Sequence, residues 1–212
     1  YGAAHNEASI VQVGYDNEAA TKQVGTKNVT KTWLGFRRTS ASDNDAWVTQ
    51  RGYDNFSKVK QFGDVHVASV TQEGAHNIAT VKASGYLGSA VIVQEGAKNE
   101  ANVTQSGDRN GASVVQTGYF NNADIDQGGH DNVAAIGQNG YSHDADILQN
   151  GNDGTAYITQ YCDNNTAFIN QWAGTGNVAS IMQTDYFNDA GINQSGYMNT
   201  AVIAQGSNHG AY

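Results

Sequence analysis

Ala101-Asn102-Val103-Thr104-Gln105-Ser106-Gly107-Asp108-Arg109-Asn110-Gly111 is followed at once by Ala112-Ser113-Val114-Val115-Gln116-Thr117-Gly118-Tyr119-Phe120-Asn121-Asn122. Both stretches set a small residue, a β-branched residue, a glutamine, a glycine and an asparagine at the same offsets. A repeated unit must stack on its neighbours to bury its apolar face, so this periodicity outranks local propensity. Glutamine recurs in phase at Gln12, Gln23, Gln50, Gln61, Gln72, Gln94, Gln105, Gln116, Gln127, Gln138, Gln149, Gln160, Gln171, Gln183, Gln194 and Gln205. The step is eleven residues or a multiple of it. The exceptions read as a five-residue insertion between Gln23 and Gln50 and one extra residue before Gln183.

Other columns hold the same phase. Two residues ahead of the glutamine stand Ile10, Val48, Val59, Val70, Val81, Ile92, Val103, Val114, Ile125, Ile136, Ile147, Ile158, Ile169, Ile181, Ile192 and Ile203, with Thr21 in the same column. Four ahead is alanine, or Ser57. Two after it is usually glycine. Five after it is often asparagine: Asn17, Asn28, Asn55, Asn77, Asn99, Asn110, Asn121, Asn132, Asn165, Asn188 and Asn199. Eighteen units start between Ala8 and Ala201; the one at Thr30 is degenerate, and the one at Ala79 carries Ala83 in place of glutamine.

Alanine, the β-branched residue and glutamine lie two apart, which is the strand period, so they share one face. The positions between them tolerate Lys58, Asp124, Trp47 and Tyr157, which marks an outward face. Glycine and asparagine supply the turn, both tolerating positive φ. Two units make a coil of 22 residues, so the expected fold is all-β: a β-solenoid of about nine two-strand coils, stacked parallel and in register as in amyloid. Buried amides cost free energy unless paired, and stacked glutamines and asparagines pair with the copies above and below. The glutamine and asparagine columns are therefore expected to form ladders around an aliphatic core. Residues 1–212 read as a single domain with an irregular insertion at about 33–45.

Composition narrows the function. The chain has no proline, as near-continuous strand requires, because proline removes a ladder donor. A net charge of −9 opposes nucleic-acid binding, and no apolar run is long enough for a membrane helix. The single cysteine, Cys162, occupies a glycine position and reads as an exposed free thiol. No catalytic constellation rises above the periodic background, so an enzyme, a cofactor and a metal are not expected. His66 and His143 take the asparagine position and read as turn residues; His5, His76, His130 and His209 lack metal-ligand spacing. Asp43-Asn44-Asp45 reads as a plain loop, since calcium-loop spacing is absent. The tyrosines after glycine (Tyr15, Tyr53, Tyr86, Tyr119, Tyr141, Tyr197) read as ordinary turn surface scattered over both sides. Acidic turn residues such as Asp54, Asp108 and Asp131 either repel between coils, slowing premature assembly, or simply keep the surface solvated. Trp33 to Arg38 breaks the repeat and reads as a tolerated loop insertion ahead of a lateral docking site.

The run Gln12-x-Gly14-x-x-Asn17-x-Ala19-x-x-x-Gln23 resembles the curlin repeat of bacterial curli fibres. The resemblance extends from about Ala8 to Gln205, although the serine that opens that family's repeat is mostly alanine here. It implies a secreted subunit, exported through outer-membrane secretion machinery, started by a nucleator subunit, and polymerised into extracellular amyloid on the bacterial surface. The regular first and last units, with no polar caps, lead to the same expectation of head-to-tail addition of the chain to itself. Tyr1 to Glu7 read as the tail of a preceding turn, as expected if the sequence starts after a removed leader. The competing expectations are a monomeric solenoid binder, ice-binding or adhesive, and a minor nucleating subunit of the same fibre.

Overall fold

The computed structural model describes residues 7–24 and 44–206. Among them are seventeen strands and no helix. The odd-numbered strands are β1 (Glu7–Tyr15), β3 (Asp45–Tyr53), β5 (Val67–Ala75), β7 (Ser89–Ala97), β9 (Gly111–Tyr119), β11 (Val133–Tyr141), β13 (Thr155–Asp163), β15 (Val178–Gln183) and β17 (Thr200–Gln205). The even-numbered ones are β2 (Glu18–Val24), β4 (Phe56–Asp64), β6 (Ile78–Tyr86), β8 (Glu100–Asp108), β10 (Asn122–Gln127), β12 (Asp144–Gln149), β14 (Thr166–Gln171) and β16 (Asp189–Gln194). Odd strands build a nine-stranded sheet and even strands an eight-stranded one, each strand beside the strand two places along the chain. The chain thus winds as a β-solenoid.

The register is like over like. Ala90 pairs with Ala112, Ile92 with Val114 and Gln94 with Gln116, all parallel. Backbone bonding continues through the corners: the amide of Asp54 donates to Tyr15 and that of His76 to Tyr53. The core is a thin seam of alanine and Val or Ile from both sheets, Ala46 through Ile181 being almost fully buried. Alanine in one column lets the sheets approach, and the larger residue fills the centre. Each buried Val or Ile contributes roughly 1.5–3 kcal/mol against backbone ordering.

Two expectations change. The degenerate unit at Thr30 lies outside the described residues, and among the described strands β1 adjoins β3 and β2 adjoins β4 directly. Gln12 stacks on Gln50, and Gln23 on Gln61, across 38 residues where a regular pair spans 22, so the insertion is sixteen residues, not five. Trp33 to Arg38 also lies outside the described residues. The second change concerns the turn. Positive φ falls on the glycine, as expected, but also on the residue before the asparagine and not on the asparagine itself: Asp54, Val65, His76, Lys98, Phe120 and Met198 lie between 53° and 60°. The asparagine instead turns its side chain inward. The column ahead of it has no compositional signature, because the corner imposes the conformation on whatever residue is there.

These corners give a paired prediction. Gly74 has φ +115°, and a Cβ there would land on the carbonyl oxygen of Gly96 in the next coil. Gly74→Ala is expected to cost more than about 2 kcal/mol, since the backbone penalty alone is 1–2. Val65, a β-branched residue at φ 60°, is strained in the opposite sense. Val65→Asn is expected to stabilise by about 1 kcal/mol, raising the thermal midpoint by roughly 2–4 °C. A lowered midpoint for Val65→Asn, read by circular dichroism, would contradict the assignment.

Candidate functional site: the polar ladders and the open coils

Each inward glutamine binds along the axis and across the core. Gln50 Nε2 donates to Gln72 Oε1 at 2.8 Å, Gln72 to Gln94 at 2.8 Å, Gln94 to Gln116 at 2.8 Å and Gln116 to Gln138 at 2.9 Å. The other hydrogen reaches a carbonyl at the start of the opposite strand, as in Gln72 to Phe56 O at 3.0 Å and Gln116 to Glu100 O at 2.8 Å. The even sheet carries the matching ladder from Gln105 through Gln127, Gln149 and Gln171 to Gln194. One amide therefore spans two coils and two sheets at once.

The asparagines form a ladder at each edge of the molecule. Asn55 Nδ2 donates to Arg51 O within its own corner and to Gly74 O in the next, and its Oδ1 accepts the amide of Asn77. Asn99, Asn110, Asn121 and Asn132 repeat this arrangement. Asn165 and Asn199 keep the bond within their own corner. Asn44 and Asn177 belong here as well, although the broken phase around them hid them from the column count. Asn44 Nδ2 donates to Gly63 O, so Asn44 and Asp45 already belong to the solenoid, and Asp43 lies outside the described residues. Asn28 lies outside the described residues.

His66 and His143 are buried in this column and imitate the amide atom for atom. His66 Nε2 lies 3.1 Å from both Phe62 O and Gly85 O, and its Nδ1 accepts the amide of Gly88 at 3.1 Å. Two carbonyls require a proton on Nε2, and an incoming amide requires none on Nδ1, so the ring is neutral. His143 lies 3.3 Å from Asn139 O through Nε2 and accepts the amide of Asn165 at Nδ1. Burial pulls both histidines below their ordinary pKa, more strongly than the carbonyl contacts raise it. The only gap in the described glutamine ladders sits beneath His66. Ala83 and Gly88 leave room at one corner, a Cβ on Gly88 would come within 2.8 Å of His66 Nδ1, and Gln105 Oε1 is buried without a partner.

On the exterior, three of the acidic corner residues have basic partners one coil away. His76 Nδ1 lies 2.9 Å from Asp54, His130 lies 3.3 Å from Asp108, and Arg109 makes a two-pronged pair with Asp131. The guanidinium holds the Asp131 carboxyl below the usual range. Tyr15, Tyr53, Tyr119 and Tyr141 share the edge that follows the odd strands, joined there by Phe120, Tyr186 and Phe187. Tyr86 and Tyr197 are on the other edge, so the tyrosines lie on both sides. Cys162 is a free, half-buried thiol whose Sγ donates to Thr184 O at 3.4 Å. Among the described residues no cluster of three His, Cys, Asp or Glu has the arrangement to hold a metal ion.

The curlin associated repeat family model matches residues 41–85, 107–140 and 129–161. Over these segments the chain carries curlin associated repeats. A search of curated proteins returns no match. In the curlin repeats of this chain, the glutamine and asparagine columns are the two amide ladders, and the glycine column is the positive-φ corner.

The ladders predict two outcomes. Gln116→Leu leaves one hydrogen of Gln94 Nε2 without an acceptor and Gln138 Oε1 without its donor, so a loss of roughly 2–6 kcal/mol is expected by chemical denaturation, at about 1–3 for each unpaired group. The histidines predict an acid sensitivity. Their folded pKa lies below the unfolded value of 6.5, so their contribution is full above pH 6.5 and falls as pH drops toward the folded pKa. His66→Asn with His143→Asn is expected to reduce the stability lost between pH 7.5 and pH 5. An unchanged loss would show that the rings do not control it.

Proposed function

We propose that the chain is a structural subunit of a secreted, extracellular amyloid fibre of the curli type, on the bacterial cell surface. It acts as one domain over residues 1–212 and adds head to tail to copies of itself. A nucleator subunit and outer-membrane secretion machinery are the partners the curlin repeats suggest.

The supporting observation is the polarity of the glutamine ladders. Every rung donates toward the C-terminal coils. At one end Gln205 Oε1 accepts from Gln183, and its Nε2 bonds Asp189 O, with no further rung among the described residues. At the other, Gln12 and Gln23 donate to Gln50 and Gln61, and their own Oε1 atoms receive no donor among the described residues. One end thus offers a donor and the other an acceptor. Both sheets present the same Ala, Val or Ile, and Gln columns, so strands of a further copy can seat on β16 and on β17. An open edge of this kind recruits strands, and the contact is heterologous and non-closing, which makes filaments.

Purified protein is expected to form unbranched filaments with a meridional spacing near 4.7–4.8 Å. Ile203→Lys on the terminal strand is expected to slow seeded elongation at least about tenfold, since burying an unpaired charge exceeds the 1.4 kcal/mol that a factor of ten represents. Wild-type chain that stays monomeric for days at high concentration would favour a monomeric binder instead.

A further inference from the structure

The outward positions divide by sheet in a way the eleven-residue unit hides. On the odd sheet, the two positions that flank the buried aliphatic residue carry no charge on any of the nine strands, from Ser9 and Val11 to Val202 and Ala204. On the even sheet the same positions are charged and sorted along the axis. Strands β2, β4 and β6 carry Lys22, Lys58, Lys60 and Lys82; β10 and β12 carry Asp124, Asp126 and Asp146, flanked by Asp144. Like stands directly on like: Lys22 pairs in register with Lys60, Lys60 with Lys82, and Asp124 with Asp146. Like charges directly opposed in a sheet are destabilising.

Neither block is neutralised among the described residues. Among the described residues no ion pair joins these lysines to an acid; Lys22 instead lies over the Phe62 ring at 5.8 Å. The acids have only neutral amides, such as Asn122 Nδ2 donating to Asp144 at 2.9 Å. Asp146 is pushed up to about 6, by desolvation first and then by Asp144 and Asp124.

We propose that the even sheet is a self-complementary lateral interface, on which a second copy packs face to face with its axis antiparallel. A two-fold axis along the strands, centred on β8, sets β4 against the partner copy's β12 and β6 against its β10. The same columns then meet: Lys58 faces the position of Asp146, and Lys82 that of Asp126. Lys60 lies within side-chain reach of the first pair, and the neutral Asn102 and Thr104 occupy the centre. One like-charge contact results, Glu100 with its own copy, in the exposed corner column where both carboxylates can turn to water. Parallel alignment of the same faces would set lysine on lysine and aspartate on aspartate. This interface goes beyond end-to-end growth and does not require it.

Zero-length carbodiimide coupling of an equal mixture of ¹⁴N- and ¹⁵N-labelled full chain tests the proposal. Heavy–light cross-links are expected from Lys58 to Asp146 and from Lys82 to Asp126. Within one chain Lys58 and Asp146 are four strands apart, roughly 19 Å, beyond such coupling, and a head-to-tail neighbour is at least as far. The yield is expected to fall at least tenfold in 1 M salt, where the screening length is about 3 Å. Lys58→Glu with Lys60→Glu and Lys82→Glu leaves Lys22 as the one lysine of the face and makes it predominantly acidic; Asp124→Lys with Asp126→Lys and Asp146→Lys makes it predominantly basic. Each variant alone is expected to lose lateral pairing, and a mixture of the two to regain it as hetero-pairs. Absence of heavy–light links in the wild type, or wild-type pairing by either charge variant alone, would overturn the interface. Variants that elongate as single filaments separate this contact from end-to-end growth.

Discussion

The amide hydrogen bond along the axis is the constraint on which this molecule is built. A glutamine in a dry seam is tolerable only if both its hydrogens and its oxygen are used, and the ladder uses them: one hydrogen goes up the stack, the other across to the opposite sheet. That geometry fixes the length of a coil. A slip of one residue would turn every glutamine to solvent and every outward charge into the seam. A slip of two would set amides on valines. The aliphatic column supplies most of the burial, but its contacts are non-directional and would tolerate sliding; the amides do not. The same requirement explains why the sixteen extra residues after Gln23 leave the register intact, since Gln12 resumes on Gln50 as if nothing had intervened.

The inward half of this architecture is legible in the sequence because two periods coincide there. Ala, Val or Ile, and Gln recur at two within a unit and at eleven between units, so the face and the stacking follow from one column count. What is not legible follows from the same physics. The strained corner residue leaves no compositional trace: Val65, Lys98 and Phe120 share a backbone conformation that none of them prefers. The unit at Thr30 satisfies the eleven-residue phase only partly, and only strand pairing reveals that the phase skips it. The sorting of charge emerges at 22 residues, not eleven. Pooling all outward columns mixes the uncharged odd sheet with the polarised even one, whereas separating alternate units would have exposed it.

His66, Ala83 and Gly88 show how a repeat accommodates a fault. The ladder requires an acceptor for the next amide and a donor for two carbonyls, and a neutral imidazole has both at nearly the amide's positions. Beside His66 the next coil carries two small residues at one corner, whereas His143 seats over Asn165 without them. The accommodation is incomplete, because Gln105 Oε1 is left without a donor. An imidazole can also take up a proton, which an amide does not do. The substitution therefore adds a pH dependence to a column that otherwise has none.

Identical coils create a difficulty that the inward columns cannot resolve. If every rung carries the same alanine, aliphatic residue and glutamine, a chain can pair out of step by a whole unit with little loss in the core. Discrimination must come from positions that differ between rungs, and these lie outside and at the corners. Arg109 pairs with Asp131 in the next coil, and His66 meets Gly88 there. The stacked lysines and aspartates of the even sheet carry the same logic further. They weaken each chain locally by setting like on like, yet they make one half of the face unlike the other. A uniform seam supplies cohesion and direction of growth, and an uneven exterior supplies address.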